Sequence, residues 1–159
     1  MYDVTFYFAH HYLEKGDRTI DQMVQAARSG KQNIAEGAAA GNTSKETEIK
    51  LTNMAKASLQ ELLVDYEDFL RVRGLEQWQP DDARLAQTKR ACAAHNDSEY
   101  YRKAMPERSA ETIANIAITL IHQTDWLLNK LIEKLEIQFV ENGGVKEQMT
   151  KARKEYRGY

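Results

Sequence analysis

Residues 17–74 constrain the fold more than any other stretch, because they read as two long helices joined by a Gly-Asn-Thr turn. The run is DRTIDQMVQAARSGKQNIAEGAAAGNTSKETEIKLTNMAKASLQELLVDYEDFLRVRG. Thr19 is followed three residues on by Gln22, and Thr43 by Glu46. Both are capping-box spacings, so the two helices are expected to start at Thr19 and near Ser44. Gly41 and Gly74 are expected to end them in the left-handed conformation, with Arg71 and Arg73 at the negative pole of the second. Ile20, Met23, Val24, Ala27, Ile34 and Ala38 recur at helical spacing in the first. Ile49, Leu51, Leu59, Leu62, Leu63, Tyr66, Phe69 and Leu70 carry the core of the second, and Glu46 with Lys50 forms an i,i+4 pair. Ser29 and Gly30 thin one helix where Ala55, Ala57 and Ser58 thin the other, so the two are expected to approach closely there.

The remaining elements follow the same logic. Residues 2–15 form a short helix stopped by Gly16, and Val4, Phe6, Tyr7, Phe8, Tyr12 and Leu13 leave it little polar face, so it must be covered on several sides. Residues 75–106 read as an insertion. Trp78 and Pro80 mark a turn, a short helix runs from Asp81 and Asp82 to about His95, and Tyr100 and Tyr101 dock the following piece onto the bundle. The longest helix spans residues 109–142. Its wide stripe comprises Ile113, Ile116, Ala117, Leu120, Ile121, Thr124, Leu127, Leu128, Leu131, Leu135 and Phe139, and Asn142-Gly143-Gly144 stops it. Beside that stripe Ile118, His122 and Trp126 form a second line at i, i+4, i+8. Such a line is either a seam within the bundle or an oligomer interface, where tryptophan is favoured.

The chain has 159 residues, enough for one domain with a real core. An apolar fraction of 42% against 29% charged residues is that of a soluble globular protein. No run of 18 apolar residues spans a membrane. The N-terminal stretch lacks a basic leader with a cleavage site, and the single cysteine, Cys92, has no internal partner. Both point to the cytoplasm. The net charge of −2 gives no general attraction to nucleic acid. Residues 143–159 differ, with Lys146, Lys151, Arg153, Lys154 and Arg157 against Glu147 and Glu155, which makes +3 there and −5 elsewhere. A charge run of this kind reads first as a solvated flexible tail and second as a nucleic-acid contact, with Tyr156 and Tyr159 able to stack on bases.

Chemistry is thinly represented. His10 and His11 are adjacent and diverge on a helix, Cys92 and His95 make a lone Cys-x-x-His, and no second ligand pair accompanies either. No glycine elbow surrounds a serine, and no glycine-rich phosphate loop exists. The Arg90-to-His95 spacing fits the loose Arg-x4–6-His pattern of the helical HEPN ribonucleases. With ten arginines and four histidines, however, about one such match arises by chance.

Three segments carry a family resemblance. AARSGKQNIAEG (26–37) and AKASLQELLVDYEDFL (55–70) resemble the bacterial four-helix-bundle proteins named for members encoded in intervening sequences of large-subunit ribosomal RNA genes. The accessory proteins of diversity-generating retroelements are similar. GGVKEQMTKAR (143–153) looks like the C-terminal suffix of one branch of that family. The match covers roughly the first half of the chain and this tail, begins partway along the first helix, and leaves residues 75–106 unaccounted for.

What the resemblance implies is an all-α, antiparallel up-down four-helix bundle over residues 1–142, with a short helical insertion before the last helix and a basic suffix at 143–159. It implies a homo-oligomer, a pentamer, that engages RNA, DNA or a nucleic-acid-handling protein; the thin chemistry of the residues themselves makes it non-enzymatic, with no cofactor and no metal expected. Asn33 and Glu36 of the Asn-Ile-Ala-Glu-Gly motif are expected to pair at a helix contact. The other readings are a ribonuclease using Arg90 and His95, and a purely structural oligomer with a protein partner.

Overall fold

Helix starts in this chain are set by short polar side chains that accept a backbone N–H. Asp17 accepts from Thr19, Ser44 from Thr47, Asp82 from Arg84, Asp97 from Tyr100 and Ser109 from Thr112. Each satisfies one donor that the first helical turn leaves free. In the computed structural model, which describes residues 1–158, these caps open α2 (Arg18–Ala40), α3 (Lys45–Val72), α4 (Ala83–Ala94), α5 (Ser98–Ala104) and α6 (Ala110–Asn142). α1 (Tyr2–Tyr12) precedes them and α7 (Val145–Arg157) follows. A 3-10 turn, Met105–Glu107, joins α5 to α6. Among the described residues the protein is all-helical, and no helix is long and apolar enough to cross a membrane.

Several local expectations are corrected. Neither Thr19 nor Thr43 is a cap: Asp17 and Ser44 take those positions, and the Thr43 hydroxyl donates back to the Ala40 carbonyl. A carboxylate two residues before the free N–H of Thr19 reaches it directly, so the box centred on Thr19 is not needed. Gly41 is right-handed, at φ −59°. Gly74, at φ +63°, does adopt the left-handed conformation. α1 stops at Tyr12, before Gly16. Lys45 pairs with Glu48 at 3.1 Å, in place of the expected Glu46–Lys50 pair. Ala38 and Leu127 lie on exposed faces, outside the stripes assigned to them. Residues 143–158 include a 13-residue helix, where a flexible tail was expected. Tyr159 lies outside the described residues.

α2 and α3 make the most extensive contact in the molecule. On α2 the contact runs through Met23, Ala27, Gly30, Ile34, Gly37 and Gly41, all buried except half-buried Ile34. On α3 it runs through Glu48, Thr52, Ala55, Leu59, Leu62, Tyr66 and Phe69, all buried. Both series alternate steps of four and three, the spacing that keeps one face of a helix against a neighbour over many turns. The helices run antiparallel: Gly30 lies against Leu59 and Ala55, and Gly37 against Leu51 and Thr52. The Ser58 hydroxyl donates to Ser29 at 2.9 Å across the same contact, where close approach was expected.

α6 lies along α3 in the opposite sense, with Lys56 bonded to Asn129 and Lys45 beside Gln138 and Glu141. Its buried positions Ala114, Ile121, Leu128 and Leu135 recur every seven residues. The short α1 is anchored at one end of this assembly. Phe8 packs its ring against Tyr66 and Phe69 with centroids 4.9 and 4.7 Å apart. The Tyr66 hydroxyl, fully buried, donates to Thr5 Oγ1 at 3.0 Å. Burial pushes the Tyr66 phenol far up, so it stays protonated and remains a donor.

Three stability outcomes follow. Gly37→Ala should raise stability by ~0.5–1 kcal/mol, because the helix gains a better former and the new methyl meets Leu51 at ordinary contact distance, 3.4 Å. Gly30→Leu should lower it by ~1–3 kcal/mol, since the side chain would drive into Leu59. Thr5→Val should cost ~1–3 kcal/mol by leaving the Tyr66 hydroxyl buried without its acceptor. Urea denaturation of the three variants checks the signs; a stabilised Gly30→Leu would refute the tight seam.

Candidate functional site

Between α4 and α6 lies a groove of about 960 Å³, walled mainly by apolar side chains. Trp78, Leu85 and Ala93 line one side, and Ile118, His122 and Trp126 the other. Its floor is built by one polar residue inside the apolar stripe of α6. Asn115 is buried, donates to the carbonyls of Glu76 and Glu111 at 2.8 and 2.9 Å, and accepts from the Trp78 backbone N–H at 2.9 Å. The segment between α3 and α4 is thereby pinned to α6 through main-chain bonds. Arg84 closes the same corner. It binds Asp82 at 2.6 Å and Glu76 at 2.7 Å, and its guanidinium sits 5.1 Å from the Trp78 ring centroid.

The Trp78 indole N–H is buried and lacks a hydrogen-bond partner, an uncommon state for such a group. Cys92, also buried, lines the groove between Trp78 and Ala93. Burial pushes its thiol up, outweighing the opposing hydrogen bond with Tyr101. A thiol held protonated and covered is a poor nucleophile. The Asp82 carboxyl is held below its usual range by the Arg84 side chain first, and also by the Arg84 backbone N–H.

The sequence-derived site residues fall into separate places. Ile118, His122 and Trp126 share the groove wall, but only Ile118 is buried; His122 is exposed and Trp126 is 60% exposed. The flank therefore begins as an internal seam and ends as open surface. Asn33 and Glu36 are not brought together. Asn33 donates to Ser29 at 3.2 Å, one turn back, while Glu36 points to solvent. The α2 seam passes through Ile34 and Gly37, which turns Glu36 away from α3. Arg90 is exposed, and the His95 ring lies flat on Tyr100, with centroids 3.7 Å apart and planes 5° apart. No hydrogen bond joins Arg90 to His95 among the described residues.

Lys146, Lys151, Arg153, Lys154, Arg157 and Tyr156 all project from α7, which has no buried residue. None of the five cations has an ion-pair partner within 4 Å among the described residues. Lys146, Arg153 and Arg157, spaced seven and four apart, share one side of the helix next to Tyr156, which is 94% exposed. Val145, Met149, Ala152 and Tyr156 form a narrow apolar line beside them. Among the described residues no cluster of three or more His, Cys, Asp or Glu side chains could hold a metal ion.

The groove was not legible in the sequence. Its floor residue Asn115 offered one signal, a polar side chain amid Ile113, Ala114, Ile116 and Ala117, but nothing in the order of residues says which backbone it will clasp. Comparison with known proteins adds nothing to these observations: no family model, curated protein or solved structure matches the chain.

Asn115→Ala should cost ~1–3 kcal/mol and free the Trp78 segment, seen as faster amide exchange over residues 75–80. Unchanged exchange would mean that Arg84 alone holds the corner. As a second check, acidification should loosen α4. The Asp82 cap is fully in place above the ordinary carboxylate pKa of ~3.9 and is lost as pH falls through its lower folded value. Asp82→Asn, which keeps a cap without a titrating group, should remove that step from an acid unfolding curve.

Proposed function

We propose that this chain is a non-enzymatic, self-associating helical-bundle protein that presents α7 to nucleic acid. In this reading α1, α2, α3 and α6 form an antiparallel up-down four-helix bundle, with α4 and α5 as an insertion before its last helix. The antiparallel pairings of α2 with α3 and of α3 with α6 support that arrangement. So does the placement of Tyr2 against Lys31 and of Tyr12 against the Arg108 carbonyl, which runs α1 opposite to α2 and α6.

One observation carries the nucleic-acid reading: α7 is an exposed helix with five cations and an exposed tyrosine on a chain that is acidic elsewhere. The other basic candidates are more encumbered. Lys45 pairs with Glu48, Lys56 bonds Asn129, and Lys31 sits 4.8 Å over the Tyr2 ring. A single α7 is too weakly charged to hold a polyanion alone. Several copies in one assembly raise the effective concentration of cations without any new contact. RNA or DNA backbone phosphate is the ligand class that this array fits, and aromatic stacking by Tyr156 favours unpaired strands. Self-association is also what the apolar outer surface of α6 supports, with Trp126, Ile137 and Val140 at 60%, 58% and 82% exposure.

Light scattering at micromolar concentration should give a mass well above 18.3 kDa. A gel-shift series with single-stranded RNA and DNA should show weak binding that falls steeply with salt, because each neutralised phosphate releases counterions. A chain ending at Asn142 should keep its helical signal and its assembly but lose that binding. Equal binding by the shortened chain would move the site to Arg28 and the lysines of α2 and α3. Absence of binding at low salt by either form would leave a protein partner as the better reading.

A further inference from the structure

The outer face of α6 carries a second line of residues that its own chain leaves open. Trp126, Lys130, Glu133, Ile137 and Val140 follow one another by steps of four and three, as the inner faces of α2 and α3 do, while Gln123 above them is bonded to the Lys89 carbonyl of α4. Here the neighbours are missing. Trp126, Ile137 and Val140 are more than half exposed, and Lys130 and Glu133 bond only each other, at 2.8 Å, with more than half of each side chain in solvent. The α7 of the same chain leaves Ile137 and Val140 exposed and cannot reach Trp126. It is ~20 Å long and hinged at Gly143, whereas Trp126 lies ~26 Å up α6 from that hinge.

We propose that a second copy of this chain packs antiparallel along this face, with the two-fold axis passing between Leu131 and Ile132. The inference rests on the assembly reading above and adds its surface and symmetry. The sequence of the line is what selects this occupant. Turned end for end about that axis, Trp126 meets Ile137 of the second copy and Lys130 meets its Glu133. Apolar faces apolar at the Trp126–Ile137 step, and plus faces minus at the centre. The same pairs recur on the other side of the axis, as an isologous contact requires. A parallel copy would instead set Lys130 beside Lys130 and Glu133 beside Glu133, a like-charge arrangement that interfaces exclude.

The groove beside α4 fits the same occupant. Its α6 wall is formed by Ile118, His122, Gln123, Trp126 and Leu127. In the antiparallel register Trp126 of that wall lies level with Ile137 of the second copy, so an aliphatic side chain arrives at the mouth of an apolar groove. Leucine, isoleucine and valine anchors entering a preformed groove are the usual way one helix recognises another. The contact pairs chains two by two, in place of the ring of five that the family resemblance implies.

Charge reversal tests the register. Glu133→Lys sets Lys130 against a lysine on both sides of the axis and should weaken self-association ~10-fold or more. Lys130→Glu should do the same, and the double exchange Lys130→Glu/Glu133→Lys should restore affinity to within ~3-fold of the parent, as coupled pairs do. Both residues in these variants are exposed, and circular dichroism should show that each variant remains helical. In a Cys92→Ala background, Trp126→Cys chains mixed with Ile137→Cys chains should cross-link between unlike chains on mild oxidation. Cross-links between like positions only, or none, overturn the antiparallel register. An oligomer whose mass ignores Glu133→Lys keeps the assembly reading and overturns this surface. A monomer at every concentration removes both.

Discussion

The close approach of α2 to α3 is the contact on which the remaining structure depends. Gly30 and Gly37 remove side chains from the middle of α2, so Ala55, Leu59 and Leu51 of α3 can reach its backbone. Two mid-helix glycines cost ~1 kcal/mol each in helix propensity. Packing along a pair ~35–40 Å long offsets that, because each buried aliphatic side chain contributes ~1.5–3 kcal/mol. Once this pair is fixed, α3 presents Leu63 and Leu70, beside the seam residues Leu62 and Tyr66, to whatever lies next to it. α1 covers the Tyr66 end and α6 runs along the whole length. The hairpin is thus the base, and the helices before and after it in sequence are laid on it.

The segment between α3 and α4 obeys a different logic. Residues 75–82 carry few apolar side chains, and they hold their course through hydrogen bonds to Asn115 and the ion pairs of Arg84. Main-chain groups in such a segment need partners as much as side chains do. A single asparagine serves two of them, the Glu76 carbonyl and the Trp78 N–H, and in doing so sets the depth of the groove between α4 and α6. Trp78 pays part of that arrangement through an indole N–H with no acceptor.

The extents of α2, α3, α4 and α6 and their principal buried faces were legible from period and punctuation, whereas α7 stands where a flexible tail was expected. Leu59, Leu62, Tyr66, Phe69, Ile113, Ile121 and Leu128 lie in the core where the stripes placed them. Finer features were not, and for identifiable reasons. Asp17 and Ser44 outcompeted the adjacent threonines because several candidate caps stood side by side, and the sequence does not rank them. Gly41 reads as a left-handed stop, but its missing side chain is used for space: a Cβ there would collide with the buried Glu48 carboxylate. Ala38 matched the stripe in spacing, yet Gly37 is the residue that faces α3, since a seam that admits glycine need not follow hydrophobicity. The Asn33 and Glu36 pairing failed because a motif's members need not share a partner. The groove depends on contacts between residues some 40 positions apart, beyond the reach of any local pattern.

The two tryptophans occupy opposite environments, and this gives the molecule a pair of separable optical reporters. Trp78 is 8% exposed beneath a guanidinium, and Trp126 is 60% exposed on the outer surface of α6. A water-soluble quencher reaches the second and not the first. Emission from Trp126 then follows events at the surface of the bundle, while emission from Trp78 follows the integrity of its interior. Binding, assembly and unfolding, which merge in most helical proteins into one loss of ellipticity, are resolved here by colour and by quenching within a single unlabelled chain.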